Sequence, residues 1–424
     1  MMQASYTEFL QRKKKAHVPS GFEPNTSHLP MFDFQHHVVK WSCQTGKACV
    51  FAGTGLGKTR MQVAYADSVA NRTDGNVLIL SPLAVAGQTM QEAKVMGVDV
   101  SRSQGSRIQI ANYEQLHNID AEFSGVVLDE SSILKSHDGA YRKYITDRFA
   151  KTPYRLALTA TPAPNDYMEL GTHAEFVGVM TRLEMLATYF THDGGDTSKW
   201  RLKKHARRDF WQWVSTWAMC FNNPGDIGFD GSRYILPELT IHEHIMPTDN
   251  DGLGGLFGES LGVSATEIHN TQRHSSVARL ERACEIEAES DDPIILWCST
   301  NVEQDALKKM IPHAVSISGS DSPEYKEKML LGFANGEFKT VITKPSIAGF
   351  GMNWQRCNRM VFVSISYSFE MLYQSIRRCY RFGQTRDVHA HLLYSESEDG
   401  IRQSLRFKSD AHNSMLDEMR AYSN

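Results

Sequence analysis

Two short stretches hold residue types suited to phosphate chemistry. "FAGTGLGKTR", residues 51–60, follows the apolar run "ACVF" and opens a helical stretch, "GKTRMQVAYADSVA". Glycines at 53, 55 and 57 let backbone N–H groups converge on an anion, and the helix N-terminus adds its dipole. Thr54 lies inside this loop, Lys58 would reach the β- and γ-phosphates, and the Thr59 hydroxyl would ligate Mg²⁺. Ala52 occupies the first position, where such loops usually have glycine. The second stretch, "GVVLDESSILK" (125–135), climbs an apolar run to Asp129 and Glu130. Alone, an acidic pair after a strand is a common turn former. With a phosphate loop about 70 residues upstream, Asp129 reads as the magnesium-holding carboxylate and Glu130 as the group that polarises the attacking water. Ser131 and Ser132 depart from the commoner spellings of this element.

These residues need a scaffold that brings distant strand ends together. From about Gln35, short apolar runs ("ACVFAG", "NVLILSP", "SRIQIANYE", "GVVLDE", "RLALTATP") alternate with amphipathic stretches. That pattern predicts strands buried on both faces of a parallel sheet, whose C-terminal ends share one ligand-binding edge. A second series begins at Pro293 with "PIILWCST", "AVSISG", "KTVITKP", "NRMVFVS" and "VHAHLLY". The expected organisation is a first α/β domain over 1–236, a connector and helix over 237–290, and a second α/β domain over 291–424. Within the first, 170–235 reads as a mostly helical insertion rich in aromatic and basic residues. The helix of the connector is expected at about 266–289.

At 424 residues the chain is long enough for two cores. With 41% hydrophobic and 22% charged residues, it has the composition of a soluble globular protein. No apolar run is long enough to span a membrane, and the N-terminal stretch has no apolar segment of the secretory kind. Seven cysteines, none in a C-x-x-C pair, point to a reducing compartment without disulfides or zinc. A net charge of −4 confines any nucleic-acid contact to a local patch.

Further motifs appear in order, and together they resemble the superfamily two helicases, more narrowly their Swi/Snf-type branch of double-stranded DNA translocases. Gln35 in "FDFQHHVVKW" is similar to the glutamine that reads adenine in that family; the alternative is an ordinary polar residue at a helix start. "LILSPLAVAGQ" and "IANYEQL" resemble two motifs that touch a nucleic-acid backbone, through Ser81, Pro82, Asn112 and Tyr113. "LTATPAPND" resembles the motif that couples nucleotide state to DNA through Thr159 and Thr161, with Asn165 also matching. "PSIAGFGMNWQ" is similar to the A-G-x-G-hydrophobic-Asn pattern, which implicates Gly351 and Asn353. "QSIRRCYRFGQ" resembles Q-x-x-x-R-x-x-R-x-G-Q position by position. The resemblance covers about 30–395, and Lys326 stands where the family often has arginine.

The resemblance implies two RecA-like lobes in tandem with an ATP site in the cleft between them, ATP and Mg²⁺ as cofactors, and a compact bacterial or phage form working in the cytoplasm. Arg378 and Arg381, three apart and so on one helix face, would act as arginine fingers, with Gln374 orienting them. The implied activity is DNA-stimulated ATP hydrolysis driving translocation on duplex DNA, with other DNA-processing proteins as candidate partners. A strand-separating helicase on DNA or RNA is the alternative enzyme. From another class, a nucleotide-switched clamp that has lost hydrolysis would explain the two serines.

Several features stay open on the residues alone. The basic cluster "SKWRLKKHARRDFWQW" reads as a phosphate-binding patch or as a solvated helix face, and "RKKK" at 12–15 as a DNA-touching arm or a frayed terminus. Phe210, Trp213 and Trp217 have the spacing of a packed helix face. "HEH" (242–244) and "HAH" (389–391) each put two histidines on one side of a strand, but neither has a cysteine or third ligand nearby, so no metal is expected there.

Overall fold

The structure, a computed structural model, describes residues 17–82, 85–135, 139–193, 196–246, 276–349 and 352–422. The basic run at 12–15, the start of the expected connector helix and Gly351 lie outside the described residues.

Two compact units divide the chain. The first comprises the residues up to Tyr234 together with those from Ala411 onward, and the second runs Ile235–Asp410. In the first unit the strands β1 (Lys47–Ala52), β2 (Val77–Ser81), β3 (Ile108–Asn112), β4 (Gly125–Asp129) and β5 (Tyr154–Thr159) are the expected apolar runs. A hairpin follows, β6 (Phe190–Asp193) with β7 (Asp196–Leu202), and then β8 (Ala218–Phe221). The sheet order is β3-β2-β4-β5-β1-β8, parallel throughout.

Each strand feeds two cores because alternate side chains point to opposite faces. Cys49, Phe51, Leu78, Leu80 and Val126 pack on one face. Ala48, Val50, Val77, Ile79 and Val127 pack on the other. Each fully buried aliphatic side chain contributes about 1.5–3 kcal/mol, which is why these runs carry no polar alternation.

The aromatic segment after 170 is more than a helical insertion. Helices Leu170–Val177, Arg182–Tyr189 and Arg207–Ser215 are there, but so are the hairpin and β8, which completes the sheet beside β1. Phe210, Trp213 and Trp217 lie in the core, as their spacing predicts.

The second unit opens with β9 (Leu239–Met246), followed by β10 (Ile294–Trp297), β11 (Val315–Ser316), β12 (Thr340–Thr343), β13 (Arg359–Phe362) and β14 (Val388–Ser395). Its sheet, order β11-β12-β10-β13-β14-β9, is again all parallel. The connector segment thus supplies an edge strand. Among the described residues no helix is long and apolar enough to cross a membrane.

Candidate nucleotide-phosphate site

The glycine-rich turn runs from the end of β1 into the helix Lys58–Thr73, with Gly57 as its N-cap in the left-handed region and no side-chain cap. N–H groups at a helix start that no side chain caps form an anion-binding turn. Gly55 and Gly57 have φ of 87° and 81°, where any side chain would be strained. A Cβ on Gly57 would lie 2.1 Å from Gln35 Nε2, and one on Gly53 would lie 3.1 Å from Asn222 Oδ1. Lys58 Nζ donates to the loop carbonyls of Ala52 and Gly53 at 2.9 and 3.3 Å. The Thr59 side chain is half-buried.

Gln35 is buried and bonds at both ends of its amide. In the helix Asp33–Thr45 its Oε1 accepts from the Phe32 N–H at 3.0 Å, closing the first turn. Its Nε2 donates to Leu56 O at 3.0 Å, which pins the phosphate loop.

Asp129 and Glu130 end β4. One strand, β5, separates β4 from β1, and all three end on the same sheet edge, with Asp129 beside Leu158 and Phe51 beside Thr159. Asp129 is buried. Its Oδ2 accepts from Gln62 Nε2 at 3.2 Å and its Oδ1 from the Glu130 N–H at 3.1 Å. Burial and the adjoining Glu130 carboxylate push its pKa up to about 6, against the pull of Gln62 and Lys58. Glu130 holds φ at 49°, a left-handed conformation that costs a non-glycine residue about 1–2 kcal/mol. Its Oε2 is buried with no hydrogen-bond partner among the described residues.

These features fit a bound magnesium nucleotide. A raised carboxylate and an orphaned carboxylate oxygen are hard oxygen donors of the kind that Mg²⁺ takes.

Several residues expected to touch nucleic acid or to couple it to nucleotide state are buried. The Tyr113 hydroxyl donates to Asp129 O at 2.7 Å, so this ring braces the acidic strand end from within the core. Ser81 is fully buried, and Asn112 starts the short helix Tyr113–Asn118. Thr159 and Thr161 are fully buried too, Thr159 Oγ1 accepting from the Thr161 N–H at 3.1 Å. The reason is local: each sits at or just beyond the end of a strand covered on both faces. Pro82 is half-buried, and Asn353 is exposed. Asn165 bonds Glu169 Oε1 at 2.8 Å. In the basic cluster, Arg201, Lys204, Arg207 and Arg208 are exposed, and Arg207 pairs with Glu418.

Two supporting residues escaped the sequence reading. Gln62 lies one turn after Lys58, a spacing that could have marked it. His173, in the helix Leu170–Val177, lies 3.1 Å by its Nε2 from Ser131 Oγ and sets its ring edge-on to Phe51 at 5.2 Å. Nothing in its sequence context signals that contact.

In the second unit, Arg378 and Arg381 do not share a helix face. The helix Phe369–Ile376 stops before them, and the Arg378 carbonyl accepts from the Trp354 N–H at 3.0 Å instead of continuing the helix. They converge nonetheless, because Arg378 Nη1 and Arg381 Nη1 both donate to Met352 O, at 3.2 and 3.0 Å. Gln374 Oε1 accepts from Arg378 Nη2 at 3.0 Å. Burial and two neighbouring guanidinium groups lower the Arg381 pKa to about 9, still charged at neutral pH. Arg377 stacks over Tyr373 and Tyr380 instead. A concave pocket at the strand ends of this unit is lined by Ser299, Lys344, Ser346, Ser364 and Ser366 among others.

Residues 276–383 match the family model of the helicase conserved C-terminal domain, a stretch that runs from the helix Ser276–Ala288 to Gly383. No curated protein matches the chain in sequence. Among solved structures, the Sulfolobus solfataricus SWI2/SNF2 ATPase core in complex with dsDNA aligns over 95% of each chain at 18% identity with a TM-score of 0.44, too low for its ligand to be read across. With a helicase C-terminal domain matched in one of its two parallel-sheet α/β units, the chain is a helicase-type ATP hydrolase built on tandem RecA-like sheets.

Proposed function

We propose that this protein is a DNA-stimulated ATPase that translocates on duplex DNA, a compact Swi/Snf-type motor of bacterial or phage kind working in the cytoplasm. The observation that carries the reading is the shared sheet edge of the first unit, where the phosphate loop and the acidic pair stand one strand apart in a chain with a helicase C-terminal domain.

The loop N–H groups and Lys58 would bind the nucleotide phosphates, with Thr59 and Asp129 holding the metal. When bound, magnesium ATP supplies the electrophilic γ-phosphoryl group and a Lewis acid on its oxygens. Glu130 orients the attacking water and takes its proton at Oε2, the oxygen that otherwise has no partner. Lys58 exchanges the loop carbonyls for phosphate oxygens. Arg378 and Arg381 are the proposed arginine fingers, guanidinium donors whose contribution would be about 10³ to 10⁵ in turnover. Gln374 holds the Arg378 guanidinium through its Oε1 and its backbone carbonyl. The buried bonds Tyr113–Asp129 and Ser131–His173 link the acidic loop to its surroundings, which suits the relay of nucleotide state. The hydroxyls and Lys344 of the strand-end pocket suit phosphodiester oxygens, the contacts that position a nucleic acid without reading sequence.

ATP turnover measured at fixed salt with no nucleic acid, single-stranded DNA, duplex DNA and RNA tests the reading. Stimulation by duplex DNA, with triplex displacement and no unwinding of a forked duplex, is expected. Absence of turnover under all four conditions sinks the enzyme assignment. The hairpin β6–β7, standing outside the main sheet, favours the second reading of a strand-separating helicase, which forked-duplex unwinding would establish.

A further inference from the structure

The two histidine pairs, apparently unrelated in sequence, meet in the second unit. β9 lies parallel to β14 with His242 beside His391, so that the four imidazoles form a zigzag along one face. His242 Nε2 lies 3.2 Å from His389 Nδ1, and His244 Nε2 lies 3.0 Å from His391 Nδ1. The His242 and His391 rings stack at 4.5 Å. Two imidazole nitrogens that share one cation at about 2.0–2.1 Å stand about 2.9–3.4 Å apart, depending on coordination angle. Both pairs have that spacing, and a cation would replace the proton each pair now shares.

The surroundings distinguish the pairs. His391 is buried, with the Arg359 guanidinium disfavouring positive charge on it, and Arg282 does the same to His244. His242 and His389 are half-buried; burial and His389 lower the His242 pKa, while the Glu289 carboxylate favours charge on His242 as it does on His244. Among the described residues no three His, Cys, Asp or Glu side chains converge into a closed cage, so the other coordination positions belong to water.

We propose that His242 Nε2 and His389 Nδ1 form a cross-strand chelate for one divalent transition-metal ion of the zinc, nickel and copper class, which pins the edge strand β9 to β14. Imidazole pairs suit these ions and not magnesium. The strand register brings one histidine of each sequence pair against one of the other.

Calorimetric titration of the EDTA-stripped full chain with Zn²⁺ or Ni²⁺ should give one binding equivalent. That equivalent is lost in His242→Asn and in His389→Asn, and kept in His244→Asn. Copper-catalysed oxidation of the wild-type chain, with peptide mapping, needs no variant to fold and should place oxidised histidine at 242 and 389. Absence of binding, binding unchanged in His389→Asn, or oxidation mapping elsewhere overturns the proposal. ATP turnover is not its readout, so it stands or falls apart from the motor assignment.

Discussion

Glu130 has a strained backbone, an orphaned carboxylate oxygen and a place next to a buried aspartate. Such strain persists only where the surroundings enforce it, and here β4 ends in a buried strand cap held by Tyr113. Removing the charge while keeping the shape isolates its role. Glu130→Gln should bind nucleotide as the wild type does and lose about 10²- to 10⁴-fold in turnover, the range of a general base. Nucleotide binding by equilibrium dialysis and steady-state hydrolysis check this together. A variant with near wild-type turnover would mean that another group activates the water.

At the scale of elements, the serines after the acidic pair now have separate environments. In the structure Ser131 is buried against His173, tying the loop to the helix Leu170–Val177 and, through the Phe51 contact, to the strand before the phosphate loop. Ser132 bonds within its own loop, its Oγ donating to Glu130 O at 3.4 Å. A hydrogen bond between buried groups contributes about 0.5–1.5 kcal/mol, so Ser131→Ala should weaken DNA stimulation about two- to tenfold and spare basal hydrolysis. Ser132→Ala should show a smaller loss of the same kind. Loss of basal turnover in Ser131→Ala would put that hydroxyl among the reacting groups.

At the scale of the whole molecule, the last helix, Asp399–Ala421, serves both units. Its residues from 411 on belong to the first, where Met415, Leu416 and Met419 are buried in the core. Truncating a buried methionine costs about 2–5 kcal/mol. Met415→Ala should therefore lower the unfolding transition of the first unit, although the residue lies some 400 positions along the chain. Scanning calorimetry checks this, with the first unit's transition recognised by its upward shift with magnesium nucleotide. A loss confined to the other transition would contradict the assignment of this segment.

What the sequence determined by itself was local. Apolar runs of strand length marked the parallel sheets, because strands covered on both faces have no polar alternation to hide. The phosphate loop and the acidic pair were legible because their chemistry needs particular residues at fixed short spacing. The tertiary structure decided what depends on contacts between distant segments. It turned Tyr113 and Ser131 inward, ended a helix before Arg378, and gave His173 a role that no neighbouring residue announces. It also set four histidines side by side through a strand register spanning 147 residues. Such contacts arise from how elements pack, and packing is specified jointly by residues that the chain keeps far apart.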